Sequence, residues 1–524
     1  MTAETRAALE RWHVGPPTTL VTSGASGADL IAAEEALALG AAVHLVLPLP
    51  PDQFETRSVA APGADWVDRF RRVREVAETE VLEDSPVGDR FARANARIVE
   101  LAQSRDPQPH AIVVWNGQRG DGQGGTHDLV ARLGFRAPDE RIAVIDPTPR
   151  AYERRQLPAG PKKLLALDGG GIRGVLSIEI LAAIESRLRD RHGPGLVLAD
   201  YFDYIGGTST GAIIAAALAF GKPVSEVRRK YQALGARIFK RRLLPRRLRS
   251  LYRDGPLTRE LVDFFGADRT MGDPELRTLL LLVLHNSITD SVWPLSNCTR
   301  AKYNRADRYL KDPSDRNLDL PLTTLIRGST AAPVYFPPQP LQVGSNPFLF
   351  QDGGVTPFNN PAALMFLMAT LPEYGLGWPV GEDALLVVSV GTGSAAASHP
   401  GLLARNVNVA FQAKNLPSVF MNGASVGQDL ICRSLGRTRA GDAIDLEFGD
   451  RVDLGGVGGA SAFTYLRYNA DLSAKALTRA GITDPARQRE LRKLDAVDCI
   501  GDLQKLGARV GATVDLEHHF KGFP

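Results

Sequence analysis

Apolar and polar positions fall into alternating blocks along the first part of the chain. Short apolar or β-branched runs end at small-residue turns, and stretches with helical spacing follow. Residues 18–22 read as a strand, Ser23-Gly-Ala-Ser-Gly27 as a loop, 29–39 as a helix closed by Gly40, and 43–47 as a second strand ending at Pro48. A later unit repeats the logic, with a strand at 111–115, a Gly-rich loop at 117–126, a short helix, and a strand at 142–145. Strands alternating with helices imply a parallel α/β sheet. Residues 147–161 (PTPRAYERRQLPAGP) carry proline and charge without apolar periodicity and read as a linker. A second α/β unit starts at once with Lys163-Leu-Leu-Ala-Leu167, and from about Asn406 the pattern reads mainly helical, ending in an amphipathic segment at 500–510. The division predicted is 1–146 for a smaller α/β domain, 147–161 for the linker, 162–395 for a larger α/β domain, and 396–524 for a mainly helical C-terminal part.

Length and composition narrow the picture. A chain of 524 residues exceeds what one hydrophobic core supports, so at least two domains are expected. A net charge of +3 from 62 basic and 59 acidic residues excludes a global attraction to nucleic acid. Cys298, Cys432 and Cys499 are widely separated, which fits neither a disulfide framework nor a zinc site and suits a reducing compartment. The first twelve residues lack the apolar core of a secretory signal. The longest apolar runs, 212–220 and 279–284, reach about half a membrane span or less. A cytoplasmic protein is therefore expected.

Candidate chemistry lies in three short motifs. Asp168-Gly-Gly-Gly-Ile-Arg-Gly174 follows a strand pattern and precedes a helical run. Consecutive glycines let backbone N–H groups converge at a helix N-terminus, where they can hold phosphate or the oxyanion of an acyl intermediate. The spacing Gly169-x-Gly171-x-x-Gly174 also satisfies a dinucleotide fingerprint, so a flavin or nicotinamide oxidoreductase is the competing reading. It wants an acidic residue at the tip of a second strand, and Asp190 lies instead in what reads as an exposed helix end. Gly207-Thr-Ser-Thr-Gly211 is a G-x-S-x-G nucleophile elbow in strand–turn–helix context, and Gln351-Asp-Gly-Gly354 sets a carboxylate at a strand end. Each of these two alone is also an ordinary turn. A histidine triad would need His518 or His519, neither in a catalytic context, and His285 reads as a strand-end residue.

In this order the three motifs resemble the patatin-like phospholipase family, whose members carry a D-G-G-G-x-[RK]-G loop, a G-x-S-x-G serine and a D-G-[AG] aspartate. Ser329-Thr-Ala-Ala-Pro-Val-Tyr-Phe336, Ser389-Val-Gly-Thr-Gly393, Tyr465-Leu-Arg-Tyr468 and the final His519-Phe520 add to the likeness, which covers roughly residue 162 to the end. The resemblance implies a three-layer α/β/α hydrolase domain working through a Ser–Asp dyad, with neither cofactor nor metal. It assigns Ser209 as nucleophile, Asp352 as base, and the amides of Gly170 and Gly171, with Gly169 or Ile172, as oxyanion hole. Arg173 takes the family's basic position and is a candidate for holding a lipid phosphate. The implied substrate is a phospholipid or another lipid ester, reached by peripheral contact with a membrane. The run Lys240-Arg-Arg-Leu-Leu-Pro-Arg-Arg-Leu-Arg249 suits anionic headgroups, each basic residue near the surface contributing about 1 kcal/mol; a solvated basic loop fits it equally.

The first 146 residues are similar to the Rossmann-like superfamily of cytokinin-activating phosphoribohydrolases and DprA proteins, which includes the SLOG sensor domains. Ser23, Gly24, Gly27 and Asp29 in the first loop, and Gly124, Gly125 and Thr126 in the later one, are the candidate nucleotide contacts. Leu129 stands where the hydrolase members carry glutamate, so ligand sensing is favoured over hydrolysis. The resemblance implies a nucleotide or cyclic-oligonucleotide signal controlling the lipase, as in antiviral defence. A scaffolding or oligomerising domain is the alternative.

Overall fold

The computed structural model describes residues 2–60, 64–82, 90–114, 125–134, 141–145, 150–238, 250–252, 254–305, 315–394, 407–443, 447, 452–454 and 459–524. The chain divides into two compact units, Met1–Pro149 and Arg150–Pro524.

In the first unit, β1 (Thr19–Thr22), β2 (Ala42–Leu47) and β3 (Glu78–Val81) form a parallel sheet in that order, and β4 (Ala111–Val114) pairs in parallel with β5 (Ile142–Ile145). Helix Ala28–Ala38 buries Leu30 and Ala33 against Leu45, Phe54 and Phe70, which is the core of this unit. Its parallel strands and intervening helices match the α/β pattern read from the sequence.

The second unit is built on a mixed sheet. Its strands are β6 (Lys162–Leu167), β7 (Tyr204–Thr208), β8 (Leu279–Asn286), β9 (Ser291–Ser296), β10 (Gln339–Val343), β11 (Asn346–Asp352), β12 (Leu385–Val390), β13 (Arg437–Ala440) and β14 (Thr464–Tyr468). They run in the order β10–β11–β8–β7–β6–β12–β14–β13, with β9 also paired to β8. Leu279 to Leu284 are fully buried, as expected for a strand covered on both faces. Its covering helices include α1 (Gly174–His192), α2 (Thr210–Ala219), α3 (Val224–Ile238), α4 (Leu322–Ser329), α5 (Ala362–Thr370), α6 (Val409–Leu435) and α7 (Ile500–Ala512). The result is the three-layer α/β/α arrangement. The amphipathic pattern at 500–510 is α7, which lies so close along α1 that a Cβ at Gly507 would meet the Leu176 carbonyl.

Two features lie outside the expected pattern. The C-terminal part is mainly helical, and it also supplies β14, which sits between β12 and β13 inside the main sheet. Thr464 and Arg467 broke its apolar pattern, although all five residues of the strand are buried. Residues 150–161 are not free linker. Helix Ala151–Arg155 inserts a fully buried Tyr152 whose hydroxyl donates to the Gly272 carbonyl at 3.1 Å, and Arg155 pairs with Asp203 at 3.1 Å. One tyrosine among charged residues gives no periodicity to read.

Candidate functional site

Strand β8 brings the two key residues together. Along one edge it pairs with β9 over residues 281–286. The opposite edge is shared: β7 pairs in parallel up to Thr208↔Val283, and β11 comes in antiparallel down to Asp352↔Leu284. The two strands thus run toward each other and stop end-on at neighbouring positions of β8. Ser209 follows Thr208 directly, so its side chain emerges where Asp352 ends β11. The Ser209 hydroxyl donates to Asp352 Oδ2 at 2.6 Å.

The elbow is held under strain. Ser209 has φ 56° and ψ −122°, a region that side-chain-bearing residues avoid. The turn is tight enough that a Cβ at Gly207 would strike the Gly211 carbonyl, and one at Gly211 the Leu167 carbonyl. The last residue of α4 and the segment after it support both partners at once. Ser329 Oγ accepts the Ser209 N–H at 2.9 Å and donates to the Val283 carbonyl at 2.7 Å, while the Ala331 carbonyl accepts the Asp352 N–H at 3.1 Å.

Asp352 is 2% exposed, and burial pushes its carboxyl up to about 7. Three groups pull it back down: the Ser209 hydroxyl, the Gly354 N–H at 2.7 Å on Oδ1, and the charge of Arg327. Arg327 is itself buried; its Nη2 donates to the Pro337 carbonyl at 3.0 Å, and Nε and Nη1 have no hydrogen-bond partner among the described residues.

In the glycine loop the carbonyls are held by the protein. Gly169 O accepts from Thr392 Oγ1 at 2.8 Å, Gly170 O from the Arg173 N–H at 3.3 Å, and Gly171 O from Tyr231 at 2.6 Å and Thr210 at 2.7 Å. Gly171 has φ 59°, which its lack of a Cβ permits. The N–H and C=O of one trans peptide point in opposite directions, so pinning these carbonyls also orients the amides of the residues that follow them. The Gly169 N–H is spent on the Asn359 carbonyl at 3.0 Å and that of Ile172 on Leu494 at 2.8 Å. The amides of Gly170 and Gly171 have no acceptor among the described residues. At the loop's start, Asp168 and Arg467 form a buried bidentate pair at 2.8 and 2.7 Å, and Arg467 also donates to Ser389 at 2.6 Å.

Ser209, Asp352 and Gly171 line one pocket that opens to solvent. Its other walls are mainly apolar, including Ile213, Leu257, Phe336, Met421 and Leu494. Its low polarity is what raises the basicity of Asp352. Arg173 is half-buried beside the loop, and among the described residues its guanidinium makes one long bond, 3.4 Å from Nε to Gly170 O. Burial lowers its pKa to about 10.

Other predicted residues fall elsewhere. His518 is exposed and bonded to Asp515, His519 is bonded to Tyr468 at 2.8 Å, and His285 lies near the end of β8 against Asp290. Asp190 is exposed in the last turn of α1, not at a strand tip. In the first unit, Ser23, Gly24 and Gly27 form the loop between β1 and helix Ala28–Ala38. There the Asp29 carboxylate accepts from Ser23 Oγ and from the Ala25 N–H at 3.3 Å. Gly125 and Thr126 begin helix Thr126–Leu133, while Gly124 and the basic run 240–249 lie outside the described residues. Ser329, Asn359, Thr392, Tyr231 and Arg467 had no assigned role in the sequence reading. Only the segment quoted around Ser329, together with Gly391-Thr-Gly393 and Tyr465-Leu-Arg-Tyr468, pointed near them.

The family model described as patatin-like phospholipase matches residues 165–366. This stretch is a patatin-like phospholipase domain. It contains the glycine loop, Ser209 and Asp352, and it ends within α5, before β12, β13 and β14. Patatin-like protein 1 of Arabidopsis thaliana is 31% identical over 259 residues, covering 44% of this chain and 58% of that protein. The intracellular phospholipase A2 of Caenorhabditis elegans is 31% identical over 275 residues, covering 51% and 23%. The cGAMP-activated phospholipase of Vibrio cholerae is 30% identical over 232 residues, covering 41% and 59%. The chain spans less than two thirds of the length of each of these relatives.

Proposed function

We propose that the chain hydrolyses acyl esters of membrane lipids, with Ser209 as nucleophile and Asp352 as base. One observation carries this reading: the 2.6 Å bond from Ser209 Oγ to a buried carboxylate inside an apolar cavity. As Oγ attacks the ester carbonyl carbon, Asp352 takes its proton, and the oxyanion is held by the amides of Gly170 and Gly171. Protonated Asp352 passes the proton to the departing alcohol oxygen, leaving an acyl-serine. Water then loses a proton to Asp352 as it attacks the acyl carbon, and the proton returns to Ser209 as the fatty acid leaves. A carboxyl near 7 suits both directions of transfer at neutral pH. Arg173, in its half-buried position by the loop, is the cation proposed for a lipid phosphate. A fluorophosphonate probe should label wild type and not Ser209→Ala, and only wild type should release fatty acid from phospholipid vesicles. Equal labelling of both proteins would overturn the assignment.

Control by a nucleotide, as in antiviral defence, is the second part of the proposal. Its support is the parallel α/β layout of the first unit and the printed name of the Vibrio cholerae relative, cGAMP-activated phospholipase. In this chain the Asp29 carboxylate already occupies the loop after β1, which suits a ribose hydroxyl better than a phosphate. Fatty-acid release measured with and without a panel of mono-, di- and cyclic nucleotides tests it. No response and no binding to any member would leave residues 1–149 as a scaffold.

A further inference from the structure

Helix α6 has two faces of different kinds. Met421, Ser425, Gln428 and Cys432 are buried, and Met421 is a wall of the cavity that holds Ser209 and Asp352. The opposite face is apolar too, and it lies in the open. Leu416, Val419, Phe420, Val426, Leu430 and Ile431 are 42, 55, 61, 53, 41 and 44% exposed. At about 100° per residue these positions fall on one stripe, opposite Met421. Gly423 and Gly427 lie in the same stripe, and a Cβ on either would meet nothing within 4 Å. Among the described residues, the nearest charges on α6 are turned away from it. Asp429 and Arg433 bond to each other at 2.9 Å, Asp429 also accepts from Tyr465, and Arg433 donates to the carbonyls of Asp442 and Val452. A contiguous apolar stripe of this kind on a surface helix marks a site of interaction.

We propose that this outer face of α6 docks the domain on a lipid bilayer and sets the catalytic cavity against the acyl chains. The inference rests on the lipid-hydrolase reading and deepens it. Continuity with the cavity argues for lipid over a second copy of the chain: the stripe and the cavity are the two sides of one helix, about 10 Å across. A helix lying in the interface sinks its apolar face roughly 5–10 Å into the headgroup–acyl boundary. The ester carbonyls of a phospholipid sit at that boundary, so docking on this face brings them level with the cavity wall. The stripe carries no charge, so attachment is by apolar insertion and should depend little on salt or headgroup charge.

The test uses the full chain carrying Ser209→Ala, which leaves vesicles intact, sedimented with phosphatidylcholine vesicles and with phosphatidylglycerol–phosphatidylethanolamine vesicles at low and high salt. Adding Val419→Gln, Phe420→Gln and Leu430→Gln should weaken binding to both vesicle types by roughly tenfold or more, the scale expected when several apolar side chains leave an interface. In the otherwise wild-type chain the same triple change should reduce vesicle hydrolysis similarly and spare a soluble short-chain ester. The indole introduced by Phe420→Trp should shift its emission to the blue when vesicles are added. Unchanged vesicle binding by the triple variant would overturn the proposal. So would a wild-type dimer that the triple variant dissociates while vesicle binding persists. If wild type hydrolyses neither vesicle lipid nor soluble ester, the hydrolase reading fails, and the sedimentation and fluorescence still decide the docking.

Discussion

Asp352 gains its basicity at a cost to the fold. An unperturbed aspartate titrates near 3.9 and Asp352 near 7, a difference worth about 4 kcal/mol. Below about pH 4 the carboxyl is protonated in both folded and unfolded chains, so nothing is lost. Between about 4 and 7 the unfolded chain ionises while the folded one keeps its proton, and stability falls as pH rises. Asp352→Asn should therefore be inactive yet more stable than wild type at pH 8, by up to about 4 kcal/mol, with the gap closing near pH 4. Urea unfolding at both pH values measures it, and a gap that does not change with pH would count against the raised pKa. Hydrolysis by wild type should rise with pH through about 7 as the base ionises. Arg327 lowers that value, so Arg327→Met should move the rising limb to higher pH. Ser329→Ala strips partners from the buried Ser209 N–H and the Val283 carbonyl, which predicts a loss of about 1–3 kcal/mol in stability and a lower kcat with little change in KM.

At the scale of elements, the site is a meeting of strand ends. β7 and β11 stop against adjacent positions of β8, so anything that spreads this junction separates Ser209 from Asp352. A Cβ at Gly353 would press on the Val283 carbonyl and come within 3.0 Å of Thr208 Cγ2. Gly353→Ala should thus cut hydrolysis on the order of 100-fold, as a displacement of about 1 Å in reacting groups does. The contrasting control is Gly423→Ala on α6, whose Cβ would meet nothing. It should leave hydrolysis of a soluble short-chain ester unchanged and raise stability by up to about 1 kcal/mol through helix propensity. Two strands near the site were readable because residues 164–167 of β6 and 279–284 of β8 are continuous apolar runs, whereas β7, Tyr204-Ile-Gly-Gly-Thr208, is marked by the glycine turn that ends it. β14 was not readable, since Arg467 is buried there only because Asp168, on a strand end nearly 300 positions earlier in the chain, needs its charge.

For the whole molecule, two compact units imply that residues 150–524 fold alone and hydrolyse a soluble ester. Starting instead at residue 162, where sequence reading set the boundary, removes the fully buried Tyr152 and the Arg155–Asp203 pair. That shorter chain should be less stable by about 3–5 kcal/mol, the usual cost of deleting a large buried aromatic. Melting curves of the two chains, followed by circular dichroism, compare them directly, and equal midpoints would show that residues 150–161 contribute nothing. Stopping at residue 395 should fail more severely. It removes β13 and β14 from the sheet and leaves the Asp168 charge buried without Arg467.

The sequence by itself determined what depends on a few consecutive residues. A strand, a sharp small-residue turn and a helix mark a turn that exposes Ser209, three glycines before a helix mark a loop able to present amides, and the order of the three motifs rather than any one of them points to the chemistry. These are set by local backbone sterics, so they can be read without a partner. Everything that needs a partner came from the tertiary structure. The Ser209–Asp352 bond joins residues 143 positions apart, and only the register of two strands on β8 makes it. The loop motif does not say which of its amides are free; Asn359 and Leu494 decide that by occupying two of them. The basicity of Asp352 comes from walls supplied by distant segments of the chain, as does the burial of one face of α6 that leaves its apolar outer face exposed. Burial and register are properties of the packed molecule, and no local stretch encodes them.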